Sequence, residues 1–196
     1  MTRKLAVFCT LILALVVFAG MAQAQTVVSS PYRVDYFSNA NTGGAPDGTL
    51  RLDNDGAAGG NLCADIFVYD SNEELSECCS CLETPDGLRT LSINSDLTAN
   101  PLTGVVLSTG VIKIVAAATV SNTCPVPNKI TLVEGNAEIQ GWATHIQNSN
   151  FAETETASQV SYLSATEQGR LARQCGAILS VGSGKGICTC GTGTGS

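Results

Sequence analysis

The most explicit chemistry in this sequence belongs to eight cysteines: Cys63, Cys78, Cys79, Cys81, Cys124, Cys175, Cys188 and Cys190. A ninth, Cys9, lies in the apolar stretch at the start of the chain. An even set of cysteines downstream of an export signal is the composition of a disulfide framework. Cys79 and Cys81 bracket one residue, as do Cys188 and Cys190. In extended chain each such pair points to one face, while Cys78 points to the other. The two Cys-x-Cys pairs can therefore bridge each other, which leaves Cys63, Cys78, Cys124 and Cys175 for the body of the domain. A thiolate metal centre is the sharper alternative, but the oxidising compartment that export implies favours disulfides. A redox-active pair is the remaining alternative, although no basic residue adjoins the Cys-x-Cys pairs to stabilise a thiolate.

Other polar machinery is sparse. The chain has one histidine, His145, in the alternating run Gln140 to Ile146. A histidine-based triad needs a serine in a G-x-S-x-G elbow, which is missing, and a zinc hydrolase needs further histidines. Alternation puts His145 with Gly141 and Ala143 on one face and Trp142 with Thr144 and Ile146 on the other. The tryptophan face reads as core, so His145 is expected at the surface and no catalytic residue is assigned. The chain is read as not being an enzyme. In the alternative reading Trp142, with Tyr32, Tyr36, Tyr69 and Tyr162, forms a sugar-stacking platform.

Asp53 and Asp55 open a loop that resembles the start of an oxygen-ligand calcium site. The match stops there, because Ala57 and Ala64 stand where a third ligand and a bidentate glutamate belong. Calcium is thus the only cofactor with any sequence support. The stretch Gly182 to Gly186 is no phosphate loop, since Leu179 replaces the required first glycine and Lys185 precedes Gly186 rather than Ser or Thr. The formal net charge of −7 falls by two more when Arg3 and Lys4 are removed with the leader. Such a surface repels nucleic acid, which needs a basic stripe.

Stepping from these residues to the elements that hold them, the N-terminus comes first. Arg3 and Lys4, an apolar run from Leu5 to Met21 and the triplet Ala22-Gln23-Ala24 make residues 1–24 a signal peptide, with cleavage before Gln25. The mature chain is then expected outside the cytoplasm, extracellular or periplasmic, with no membrane span. Residues 25–190 read as a single β-rich domain and 191–196 as a disordered Gly/Thr tail. Short apolar or alternating runs separated by turns predict strands at Tyr32–Tyr36, Ile66–Tyr69, Leu88–Ile93, within Gly104–Thr119, at Lys129–Val133 and at Ala137–Ile146. Asp-Gly turns at 47–48, 55–56 and 86–87 separate several of them. Ser164-Ala165-Thr166-Glu167 is a capping box that starts a helix with Leu171, Cys175, Ile178 and Leu179 on its buried face and Arg170, Arg173 and Gln174 toward solvent. The fold class is mainly β: an antiparallel β-sandwich-like domain with one C-terminal α-helix, stapled by disulfides.

The segments Asn61 to Ile66, Cys78-Cys79-Ser80-Cys81, Ser95 to Pro101 and Gly182 to Cys188 together resemble a family of uncharacterised secreted bacterial proteins. The resemblance implies export and a shared cysteine framework, and carries no activity. The expected function is a non-catalytic extracellular structural or cell-surface protein. It is expected to assemble with copies of itself, or with other surface components, through a first strand that presents Tyr32, Val34 and Tyr36. The alternative is a β-sandwich module that binds carbohydrate or another ligand.

Overall fold

The computed structural model describes residues 30–133 and 138–191. The expected signal peptide, residues 1–24, and the tail beyond Gly191 lie outside the described residues. The strands, in chain order, are β1 Tyr32–Phe37, β2 Thr49–Asn54, β3 Leu62–Asp70, β4 Leu75–Glu83, β5 Leu88–Ser92, β6 Gly110–Ala118, β7 Ile139–Gln147, β8 Ala152–Ala157 and β9 Gln159–Val160. A π-helical turn, Ile93–Leu97, follows β5, and helix α1, Ala165–Val181, follows β9. The fold is mainly β, with one antiparallel sheet ordered β4-β3-β6-β1-β9 and a second ordered β5-β2-β7-β8.

Three layers result. Leu62, Ala64, Ile66 and Val68 of β3 and Ile112, Ile114 and Ala116 of β6 pack against Leu50, Leu52, Leu91, Ile139 and Ala143 of the four-stranded sheet. The alternate residues Cys63, Phe67, Tyr69, Val115 and Ala117 lie beneath Leu171, Cys175 and Ile178 of α1. Burial on both faces explains why β3 reads as a continuous apolar run, whereas β2, covered on one face, alternates. Each large aliphatic side chain so buried stabilises by about 1.5–3 kcal/mol.

The cysteines close as four disulfides, Cys63–Cys124, Cys78–Cys175, Cys79–Cys188 and Cys81–Cys190. Strand β4 sends Cys78 to the helix and Cys79 and Cys81 to the C-terminal segment, as their alternation on opposite faces requires. Bonds of this kind persist in oxidising compartments. Among the described residues no helix is long and apolar enough to cross a membrane.

The C-terminal segment closes one flank of the sandwich. The Cys78 N–H donates to the Gly186 carbonyl at 2.9 Å, and the Cys188 N–H to the Cys78 carbonyl at 3.3 Å. On the opposite sheet's side, the Thr189 N–H donates to the Asp96 carbonyl at 2.9 Å and Arg89 Nη1 to the Cys190 carbonyl at 2.7 Å. Residues 186–190 thus lie between the edge strands β4 and β5, occupying backbone groups that would otherwise invite another strand. At the other flank the chain passes from β8 to β9 through Ser158 and so crosses from one sheet to the other.

Helix α1 starts as expected, with the Ser164 hydroxyl accepting the Glu167 N–H at 3.1 Å, and ends at Gly182, whose φ of 66° is the left-handed stop that glycine favours. Leu179 departs from expectation: it is 37% exposed, because the helix has begun to leave the sheet by its last turn. Arg170 and Gln174 also differ, being half-buried against Tyr69 rather than solvated.

Two predicted strands are corrected. Of Lys129–Val133, only Leu132 bridges to Ala117. Of the two β-branched stretches within Gly104–Thr119, the first is loop, with Val105 and Val106 each 67% exposed. Apart from that single bridge to β6, neither segment pairs with a strand, and propensity without a ladder partner does not make a strand. Conversely β8, Ala-Glu-Thr-Glu-Thr-Ala, is exposed throughout and so lacks the apolar alternation by which a strand is read.

Candidate functional site

Strand β7 is turned over relative to the sequence reading. Gly141, Ala143 and His145 face inward and Trp142 faces out: His145 is 0% exposed and Trp142 37%. The cause is the crossover at Ser158. A Cβ on Gly141 would stand 2.7 Å from the Ser158 hydroxyl oxygen, so this face admits only small residues near the crossover, and the indole is left to the open side. Ile146, also buried, closes the end of the strand.

His145 is held by polar partners. Its Nδ1 lies 3.0 Å from the Tyr36 carbonyl, which can only accept, so Nδ1 carries a hydrogen. Its Nε2 lies 2.7 Å from Thr156 Oγ1 and 3.4 Å from Asp35 Oδ1, and the Tyr36 ring stacks on the imidazole at 4.0 Å. Asp35 also accepts the Tyr36 N–H at 2.9 Å and the Ser158 hydroxyl at 2.6 Å. A histidine relay needs its carboxylate and its nucleophile on opposite ring nitrogens. Here Asp35 and Thr156 share one nitrogen and Ser158 is committed to the carboxylate, so this cluster is no relay. It is a polar seam joining β1 to β7, continued by the buried Arg33–Glu138 ion pair at 2.8 Å and by the Ser38 and Asn39 side chains on the Ile146 carbonyl.

The opposite face of β7 is the candidate site. Register places Arg51 of β2 and Ala157 of β8 directly beside Trp142. The next row carries Thr49, Thr144 and Glu155, and the row on the other side Asp53 and Gln140. Arg51 forms an ion pair with Glu155, and the Thr49 and Thr144 hydroxyls are 2.9 Å apart. A single indole thus stands half-exposed on the outer face of the sheet, ringed by donors and acceptors and flanked on one side by a small residue. No family model, curated protein or solved structure matches this chain. Function has therefore to be argued from this geometry.

The remaining sequence candidates are dispersed. Tyr32 and Val34 pack on the helix-facing side of β1, whereas Tyr36 stacks on His145, and the strand lies inside its own sheet: β1 pairs with β6 from Tyr32 to Phe37, and with β9 at Arg33 and Val34. Asp53 is the penultimate residue of β2, and burial together with Asp86 and Asp55 pushes its carboxyl up from the ordinary value. Asp55 spends Oδ1 on the Ala57 N–H at 3.0 Å. Among the described residues no group of three or more His, Cys, Asp or Glu is placed to hold a metal ion.

Sequence reasoning missed a polar cluster beneath α1. Glu167 accepts from Lys113 at 2.8 Å and Arg170 at 2.7 Å, and both cations lie over the Tyr69 ring at 4.8 and 5.4 Å. The Arg170 hydrogen bonds, aided by Lys113, hold the Glu167 carboxyl down at about 2, while burial pushes Tyr69 up to about 12. Only the sandwich register brings Lys113 of β6 to the helix, and nothing in local sequence signals it.

Proposed function

We propose that the protein is a non-catalytic, secreted β-sandwich module that binds carbohydrate on the outer face of its four-stranded sheet. The observation that carries this reading is the position of Trp142. An indole on a solvent-facing sheet offers a stacking surface to the C–H face of a sugar ring. Arg51, Glu155, Gln140 and the two threonines on the neighbouring rows supply donors and acceptors for hydroxyls projecting around such a ring. The acidic residues Glu153, Glu155 and Asp53 on the same surface favour a neutral saccharide over an anionic one. Disulfides and a covered sheet edge support service outside the cell, where reduction is absent and proteases are present.

Strand β1 holds six register pairs with β6 within the chain, so assembly by exchange of β1 would require those pairs to re-form between copies. The test uses the fact that Trp142 is the only tryptophan. Titrating neutral oligosaccharides should shift or quench its fluorescence, and Trp142→Ala should abolish retention on the matching insoluble polysaccharide. Unchanged emission across a broad set of neutral glycans would overturn the reading.

A further inference from the structure

Where β4 leaves the β3–β4 hairpin it carries a bulge. Glu77 sits opposite Val68 and Leu75 opposite Tyr69, so Ser76 is an extra residue with no partner across the ladder. A bulge of this kind re-aims the side chain it carries and interrupts the strand edge. The loop that precedes β6 is tied to the bulge by the Leu102 N–H on the Ser76 carbonyl at 3.0 Å. Between hairpin and loop lies a cavity of about 270 Å³. Two of its lining residues are fixed in place, because Leu107 belongs to the core between the sheets and Leu75 to the cluster beneath α1.

The two sources of its wall differ in character. The hairpin supplies the carboxylates of Asp70 and Glu74, neither of which forms an ion pair among the described residues. Asp70 spends Oδ1 on the Asn72 and Glu74 N–H groups, both at 2.9 Å, and keeps Oδ2 for another donor. The loop supplies Val105 and Val106, each 67% exposed, and no charged residue occurs between Asp96 and Lys113. Among the described residues no lysine or arginine lines the cavity. Ser76 also lines it, is 6% exposed, and its Oγ is buried without a hydrogen-bond partner, a costly state that a polar group of a ligand relieves.

We propose that this cavity binds a small organic amine, with its ammonium group toward Asp70, Glu74 and Ser76 and its apolar body against Val105, Val106 and Leu107. The three N–H donors of a primary ammonium match two carboxylates and one unpaired hydroxyl. The same carboxylates repel an anion, and the valines give a hydrated metal ion nothing to bind. The volume falls short of the roughly 300–1,000 Å³ of drug-sized ligand sites, so the body is a single ring or a short branched chain. The site belongs to the five-stranded sheet and does not depend on what the Trp142 face binds.

The test is a titration of the mature protein, from Gln25 onward, with isoamylamine and phenethylamine at neutral pH, followed by amide chemical shifts. Saturable shifts should centre on Ser76, Val105 and Val106, and isoamyl alcohol and isovalerate, of similar shape without the positive charge, should bind far more weakly. Asp70→Asn, which keeps the Oδ1 acceptor of the turn, and Glu74→Gln should each weaken amine binding several-fold. Ser76→Ala should weaken it too, while the free protein melts no lower because an unsatisfied hydroxyl has been removed. An alcohol that binds as tightly as the amine, shifts centred elsewhere, or no saturable shift would each overturn the proposal.

Discussion

Trp142 and His145 stand three residues apart on β7 and on opposite sides of the four-stranded sheet, the indole 37% exposed and the imidazole fully buried. Strand periodicity separates the two faces of β7. Which face becomes core is decided by the crossover at Ser158, more than ten residues downstream. The larger apolar residue therefore lies outside and the polar one inside, and the stability of the seam rests on His145 keeping its partners.

Replacing His145 should be costly to the fold. His145→Ala leaves a cavity and strands the Tyr36 carbonyl and the Thr156 hydroxyl, an expected loss of about 2–4 kcal/mol. Urea denaturation of the two proteins measures it directly. Trp142→Ala, with much of its side chain already in solvent, should lose less, and a larger loss at Trp142 would contradict the assigned faces.

Stability should fall as pH rises from about 4.5 to 7. Burial pushes both Asp65, whose carboxylate has the Ser80 hydroxyl at 2.6 Å, and Glu77 up to about 7. The folded chain then holds two protons that the unfolded chain releases near pH 4 to 4.5, so stability is full below that range and is lost on the way up to 7. The melting temperature at pH 5 should exceed that at pH 8 by several degrees, and Asp65→Asn should remove part of the difference.

Glu167 works in the other direction. Its carboxyl, held at about 2 by Arg170 and Lys113, contributes stability above its unfolded value that is lost as pH falls toward 2. Partial exposure of the cluster screens it, so Glu167→Gln should cost no more than about 1 kcal/mol at pH 7. It should also flatten the acid limb of a melting-temperature profile.

The C-terminal segment should act as a cover. In the double variant Cys188→Ser, Cys190→Ser, two of the four closures are lost, each typically stabilising by about 2–4 kcal/mol. Amide exchange at Cys78, protected by the Gly186 carbonyl, should speed up well before exchange in β3. Equal protection in the two proteins would show that the segment holds its place without its bridges. In the unmodified protein, titration after denaturation without reductant should find no free thiol at these eight positions.

What sequence reveals here is local. The capping box at Ser164, the alternation of Cys78 against Cys79 and Cys81, and the apolar run of β3 each follow from neighbours in the chain, and each is found as read. The features that failed to show depend on distant segments. β8 has no apolar face because nothing packs on it, Val105 and Val106 are β-branched without a strand to pair with, and Lys113 meets Glu167 only through the sheet register. The candidate site was legible as a residue, Trp142, but its outward face was not, since Gly141 beside Ser158 is a contact between strands rather than a pattern along one.

The position of the covering segment also sets an order of events in the life of the chain. A polypeptide appears from its N-terminus, and Cys78, Cys79 and Cys81 all emerge nearly a hundred residues or more ahead of their partners Cys175, Cys188 and Cys190. Cys63 and Cys124 can be joined correctly before any partner of the β4 cysteines has appeared. Until the last stretch arrives, three neighbouring thiols on β4 wait beside an open sheet edge, free to pair wrongly with one another or with another chain. Correct oxidation of β4 therefore waits on distant partners, and a host lacking a disulfide isomerase should accumulate scrambled β4 thiols as its main faulty product.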